Sequence, residues 1–191
     1  EVSPQAQYLG DFIQIKDALE TAADKLAAAT AKNTAQDWLK SGQTRLNDQM
    51  RGELELPKLA KNIISFITTY IEAQIGLFYL LENPNPNQSA YLKVVASYAY
   101  TPNEHIPEHF LLGEGLVGQA ALEQKMIFRA HRQEEYHYIV QSGLSQAVPR
   151  YVILLPFSYD NQVKGVIEIG SAKAPTVIRQ QFLEQVMPSI G

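Results

Sequence analysis

Four histidines, His105, His109, His131 and His137, are the side chains whose type and spacing first suggest metal chemistry. His105 and His109 are four residues apart and would share one face of a helix, a spacing that metal sites use. Pro107 lies between them and disfavours a regular helix. Solvated loop histidines are therefore the preferred interpretation, and we expect no metal site.

The chain has no cysteine, which excludes disulfides, thiolate metal sites, cysteine nucleophiles and a thioether-linked chromophore. A serine hydrolase is also disfavoured because no G-x-S-x-G segment is present. Asp160 falls in an expected turn and Glu168 in an expected strand, and two carboxylates without a placed partner do not make an active site. We expect no catalytic residue and no cofactor.

The segment Gly113-Glu114-Gly115-Leu116-Val117-Gly118 has glycines spaced somewhat like those of a nucleotide-binding loop. It lacks the G-x-x-x-x-G-K-[ST] pattern, and no Lys follows it to meet a phosphate. We favour a structural interpretation, in which these glycines adopt unusual backbone angles where an insert meets a sheet.

Glu168 is a carboxylate inside the apolar run Val166 to Ile169. It either reaches solvent or pairs with a buried cation or a ligand donor, and a structural partner is preferred over a ligand contact. Aromatic residues fall on the same expected sheet and its inserts, as expected of an apolar pocket with polar tips; ordinary core packing remains the alternative. The candidate ligand-binding residues are Phe78, Tyr98, Phe110, Tyr138, Tyr151 and Glu168.

These residues must be positioned by an α+β fold. We expect a helix that ends near Ala73, followed by two antiparallel strand pairs. Between the two pairs lie a short helix, a short strand and a helical turn or lid over 132–143. A final helix begins near Pro175. We expect an antiparallel sheet with the terminal helices on one face and the insert on the other. The expected strands are 75–81, 91–100, 126–130, 151–159 and 163–170.

Apolar residues in the first third of the chain recur at spacings of four and three. This is the a/d pattern of a coiled coil, so we expect a long helix that forms a homodimer; a surface helix with an imperfect pattern is the alternative. The pattern stops near Asn33, and Thr34 with Asp37 has capping-box character, which indicates a helix break within 30–38. The seam residues are Tyr8, Phe12, Ile15, Leu19, Ala22, Leu26 and Ala29.

Composition limits the partners of the chain. Its 191 residues carry a net charge of −4 without a basic cluster, which disfavours nucleic acid. No apolar run approaches the ~20 residues that cross a bilayer, so we expect no membrane insertion.

Four short motifs lie in residues 59–66, 74–80, 113–120 and 165–169. In their order and spacing they resemble those of GAF domains, most closely the GAF domains of bacterial, often cyanobacterial, hybrid sensor histidine kinases. The resemblance implies a regulatory module over 53–191, preceded by a signalling-helix linker over 1–52, of which 37–52 is the part similar to those kinases. It also implies a cytoplasmic location, with kinase and receiver domains outside this chain, and it is compatible with a parent protein anchored in a membrane.

The resemblance leaves three functional hypotheses. The first is a small-molecule sensor, and the second is a ligand-free module that serves dimerisation and spacing. The third is a methionine sulfoxide reductase, an activity that the family includes; such an enzyme needs reactive cysteines, which this chain lacks.

Overall fold

The computed structural model describes residues 4–83, 89–101, 107, 109–130, 140–141, 146–147 and 149–191. The chain divides into two compact units, Glu1–Ser41 and Gly42–Gly191.

Helix α1 (Pro4–Met50) confirms the long amino-terminal helix and is uninterrupted through 30–38. The expected break is therefore wrong. The Thr34 hydroxyl does not cap a new helix but donates to the carbonyl of Thr30, as the Thr30 hydroxyl does to the carbonyl of Leu26. Both hydroxyls are thus satisfied within a continuous helix, and the alanines around them favour helical backbone.

The second unit has an α+β fold, as the sequence predicts. Its six-stranded sheet has the order β3-β2-β1-β8-β7-β4 with antiparallel neighbours, and β5 and β6 form a separate pair. The elements that follow α1 are α2 (Leu56–Tyr70), β1 (Ile75–Glu82), β2 (Tyr91–Tyr98), β3 (His109–Leu111), α3 (Gly115–Glu123), β4 (Ile127–Ala130), β5 (Val140–Gln141), β6 (Gln146–Ala147), β7 (Tyr151–Tyr159), β8 (Gln162–Ser171) and α4 (Val177–Ile190).

Two local expectations need correction. His109 does not lie in a loop but in strand β3, which pairs with β2. Residues 140–141 form strand β5 and not a helical turn. The expected lid falls mostly on 131–139 and 142–145, which lie outside the described residues.

Helices α2 and α4 pack on one face of the sheet, which we call the helix face. A Cβ at Gly76 in β1 would lie 2.4 Å from the Thr68 hydroxyl of α2, and Tyr70 of α2 contacts Phe182 of α4 with ring centroids 5.0 Å apart. Helix α3 packs on the opposite face, the α3 face, where Ala120 and Ala121 join the buried cluster that contains Leu77. This confirms the expected placement of terminal helices and insert.

The last turns of α1 belong to the second unit and pack closely on α2 and α4. Leu46 is fully buried, and the Arg45 guanidinium lies 5.5 Å and 5.6 Å from the ring centroids of Phe66 and Tyr70. A Cβ at Gly42 would lie 2.5 Å from the Tyr70 ring and 2.6 Å from the Phe182 ring. Gly42 therefore permits an approach that no other residue type allows without a shift of these rings.

The glycine segment before α3 adopts the strained backbone that the sequence suggests. Gly113 and Gly115 have φ values of +84° and +58°, which favour glycine. A Cβ at Gly118 would lie 2.1 Å from the carbonyl oxygen of Leu111. These observations support a role in close packing of α3 against β3.

Candidate functional site

Glu168 in β8 is a carboxylate buried on the α3 face. Its side chain is 8% exposed, and its neighbours in register are Leu77 in β1 and Leu154 in β7. Side chains alternate between the two faces of a strand, so Val166 and Glu168 share this face with a cluster of buried apolar residues. The carboxylate is therefore held among aliphatic side chains in the centre of the sheet.

Tyr79 in β1 supplies the hydrogen bond to this carboxylate. Its buried hydroxyl donates to Oε2 of Glu168 at 2.8 Å. Burial raises the pKa of Glu168 from 4.5 to about 7, against the lowering effect of the Tyr79 hydrogen bond. A carboxyl whose pKa lies near neutral changes its charge under conditions in which most carboxyls remain ionised.

Two further aromatic side chains border the Tyr79–Glu168 pair. The ring of Phe110 meets the ring of Tyr79 edge to face, with centroids 6.0 Å apart. Tyr100 is partly buried against the same cluster; burial and then the charge of Glu168 raise its pKa. We call Tyr79, Tyr100, Phe110 and Glu168 the carboxylate–aromatic cluster.

The structure brings together two of the candidate pocket residues that the sequence predicts, Phe110 and Glu168. Phe78, by contrast, points to the helix face, where its ring centroid lies 5.0 Å from that of Phe157. Tyr98 is opposite Gly76 in register and therefore also lies on the helix face.

The remaining two candidates lie apart from the cluster as well. Tyr151 stacks on Phe128 with ring centroids 5.8 Å apart, and Phe128 is opposite Ile153, on the helix face. Tyr138 lies outside the described residues.

Sequence reasoning missed Tyr79 and Tyr100. Tyr79 lies in the apolar run of β1, where both faces are buried, so alternation does not single it out. A signal was nevertheless present, because Tyr79 is the residue of that run whose side chain ends in a hydrogen-bond donor. Its pairing with a strand that holds a buried carboxylate makes it the natural partner.

Other chemistry finds little support in the described residues. No group of three potential metal ligands occurs among them, and none of their helices is long and apolar enough to span a membrane. His109 is exposed, with its ring centroid 5.3 Å from that of Tyr91. His105, His131 and His137 lie outside this part of the chain.

A family model described as GAF domain matches residues 53–191, well over half of the chain. The chain belongs to the GAF domain family. GAF domains are generally sensory or regulatory modules. A search of curated proteins finds no match to this sequence.

Solved structures share the GAF fold with this chain at low sequence identity. The GAF domain of a Coxiella burnetii phosphoenolpyruvate-protein phosphotransferase has a TM-score of 0.63 and 12% identity, covering 82% of this chain and 91% of that one. The GAF domain of the Acinetobacter phosphoenolpyruvate-protein phosphotransferase has a TM-score of 0.60 and 15% identity, covering 80% and 89%. The fRMsr of Staphylococcus aureus in complex with its substrate has a TM-score of 0.59 and 17% identity, covering 80% and 92%. At these identities the likeness concerns the fold alone.

Proposed function

We propose that this GAF domain is a non-catalytic sensory module of a cytoplasmic sensor histidine kinase of a two-component system. In this proposal α1 forms a parallel homodimer, and a ligand or partner bound on the α3 face changes the packing of the helices that lead to neighbouring domains. The kinase context rests on the resemblance of residues 37–52 to the linkers of such kinases.

The exposed seam of α1 carries the proposal. Phe12, Leu19 and Leu26 have exposed fractions of 67%, 66% and 69%, although they occupy consecutive a positions of the heptad pattern. A stripe of large apolar side chains at this period fits the matching stripe of a second copy of the same helix. The pattern therefore selects a coiled-coil partner.

A non-catalytic role fits the composition of the chain. The fold of the S. aureus fRMsr is shared, so an enzyme on this fold is a real alternative. A mechanism through cysteine is excluded, because the chain has none.

A ligand-free spacer is the second candidate function. The hydrogen bond between Tyr79 and Glu168 favours it, because it gives each of these buried groups a partner without a ligand. In that case the sheet and α3 form an ordinary core, and only the dimer seam has a function.

Sedimentation of three proteins tests the seam. We expect the wild type to sediment at twice the monomer mass of 21.4 kDa, and the double variant Leu19→Ser/Leu26→Ser to sediment as a monomer. Ile13→Ser is the matched control, since Ile13 is also exposed, at 49%, but lies outside the seam. A monomeric wild type, or a seam variant that stays dimeric, would contradict the proposal.

A native mass spectrum separates the sensor from the spacer. The sensor predicts a small molecule that stays bound to the purified domain and is lost from a variant of the cluster, Tyr79→Phe. A spectrum with the protein mass alone, together with a dimeric wild type, supports the spacer.

A further inference from the structure

Glu168 is the buried charged side chain of the described part of the chain. The ion pairs found there, Lys16–Glu20, Lys58–Glu55 and Arg179–Glu72, all involve carboxylates other than Glu168. Tyr79 gives the Glu168 carboxylate one neutral donor, whereas an ionised carboxylate accepts about four hydrogen bonds. The negative charge is therefore left without a compensating cation among these residues, which is unfavourable in an apolar surrounding.

The side chains around this carboxylate are those that attract organic cations. Tyr79 reaches it through its hydroxyl, Phe110 packs edge to face on the Tyr79 ring, and Tyr100 packs partly buried against the cluster that contains Tyr79. Aromatic faces attract ammonium groups through the ring quadrupole, and this attraction is stronger where the cation is desolvated. A carboxylate next to aromatic rings thus combines its full negative charge with the partial negative charges of the ring faces.

We propose that the carboxylate–aromatic cluster binds the ammonium group of a small organic cation. This inference rests on the proposed sensory function and names the chemical class of its ligand. The Glu168 carboxylate forms the ion pair and the Tyr79 hydroxyl fixes the carboxylate in place. The rings of Tyr79, Tyr100 and Phe110 contact the alkyl groups that the cation carries.

The same groups discriminate against other ligands. An anion would be repelled by the ionised carboxylate and by the faces of the rings. A hard metal ion such as Ca²⁺ requires six to eight oxygen ligands, and the described residues contain no group of three potential metal ligands. An ammonium group needs one carboxylate and an apolar wall, and the cluster provides both.

Titration with simple ions tests the proposal. Methylammonium, tetramethylammonium and acetate are added to the wild-type chain at pH 8, above the pKa of Glu168 of about 7, at constant ionic strength maintained with sodium chloride. Binding is followed by the unfolding temperature and by ring resonances of Tyr and Phe. We expect saturable binding of both ammonium ions at millimolar concentration, with no response to acetate.

Glu168→Gln identifies the group responsible, because the amide keeps the size of the side chain and an acceptor for Tyr79. We expect ammonium binding at least about tenfold weaker in this variant, equivalent to the loss of 1.4 kcal/mol or more. Glu184→Gln is the matched control: Glu184 is exposed on α4, and its replacement removes the same charge but should leave binding unchanged.

The outcomes separate this inference from the proposed function. Equal ammonium binding by the wild type and Glu168→Gln, or no saturable ammonium binding, overturns the cation assignment. Acetate binding without ammonium binding also overturns the cation assignment, but it is compatible with a sensory module that responds to a ligand. A monomeric wild type in sedimentation overturns the proposed relay and leaves the cation assignment to be decided by these titrations.

Discussion

Both faces of the sheet bury apolar side chains, but only the α3 face buries a carboxylate among the described residues. On the helix face, Phe78, Phe157 and Phe182 are buried among aliphatic side chains of α2 and α4. On the α3 face, an equally buried layer encloses Glu168 and the hydroxyl of Tyr79. A buried ionisable group lowers stability unless it is paired. The helix face thus contributes through apolar packing, whereas the α3 face bears the energetic cost of a buried carboxyl group.

Removing an aromatic ring from the helix face should have the largest effect. Phe182 is fully buried between Tyr70 and the position of Gly42, so Phe182→Ala leaves a cavity that close neighbours cannot fill. We expect a loss of about 3–5 kcal/mol in the free energy of unfolding, measured by urea denaturation. Tyr159→Ala, at a site that is 61% exposed, is the control and should lose much less. Similar losses in both variants would contradict the tight packing of this face.

Glu168→Gln should have the next largest effect on the free energy of unfolding, and it should raise stability where Phe182→Ala lowers it. The pKa of Glu168 in the folded protein, about 7, lies above its ordinary value of 4.5, so the folded state retains a proton that the unfolded state releases. Its contribution to stability is fully present below pH 4.5 and is lost as the pH rises through about 7. At pH 8 we expect Glu168→Gln to be more stable than the wild type by up to about 3 kcal/mol.

The pH dependence of that difference is the measurement. Urea denaturation at pH 5 and pH 8 should give a larger gain in the free energy of unfolding for Glu168→Gln at the higher pH. If the gain in the free energy of unfolding is the same at both pH values, Glu168 is ionised throughout this range and another group compensates its charge.

Tyr79→Phe tests the hydrogen bond itself. The substitution keeps the ring and its contact with Phe110 but removes the donor to Glu168. We expect a loss of about 1–3 kcal/mol at pH 8, because a buried acceptor is left without its partner. In the background of Glu168→Gln the loss should be smaller, and a double-mutant cycle measures that difference. Equal losses in both backgrounds would show that the two side chains do not interact.

Thr68→Val should have the smallest effect, on the helix face. The buried Thr68 hydroxyl has no hydrogen-bond partner among the described residues, and valine has nearly the same shape. Removing an unsatisfied polar atom should leave stability unchanged or raise it by about 1 kcal/mol. Thermal unfolding measures the change, and a clear loss of stability would mean that the hydroxyl has a partner.

The sequence predicts the fold well because its signals are local. The a/d spacing from Phe12 to Leu26 marks a helix, and the alternation of apolar runs with turn residues marks the two long strand pairs, β1–β2 and β7–β8. Strand β3 is missed because three residues show no periodicity. The continuity of α1 through Asn33 is also missed, since a polar break in a seam does not end a helix whose backbone propensity is high.

The site is predicted only in part, for a physical reason. Glu168 stands out because a charge in an apolar strand requires an explanation. In β1, which is apolar on both faces, the sequence does not say which residues face α3, so it does not distinguish Tyr79 from Phe78 as a site residue. The face of each residue depends on its distant partners, here Val166 and Glu168 in β8, and these become known only with the register of the strands.

Gly42 has a consequence for any movement of α1 along its own axis. A screw movement by one residue, about 1.5 Å along the axis with a turn of about 100°, would bring the side chain of Ser41 or Gln43 to the place where the rings of Tyr70 and Phe182 leave room for a hydrogen atom. The end of the helix therefore cannot slide gradually past α2 and α4 while it stays in contact with them. Such a screw movement requires these helices to separate first, so the end of α1 is held in one register against α2 and α4.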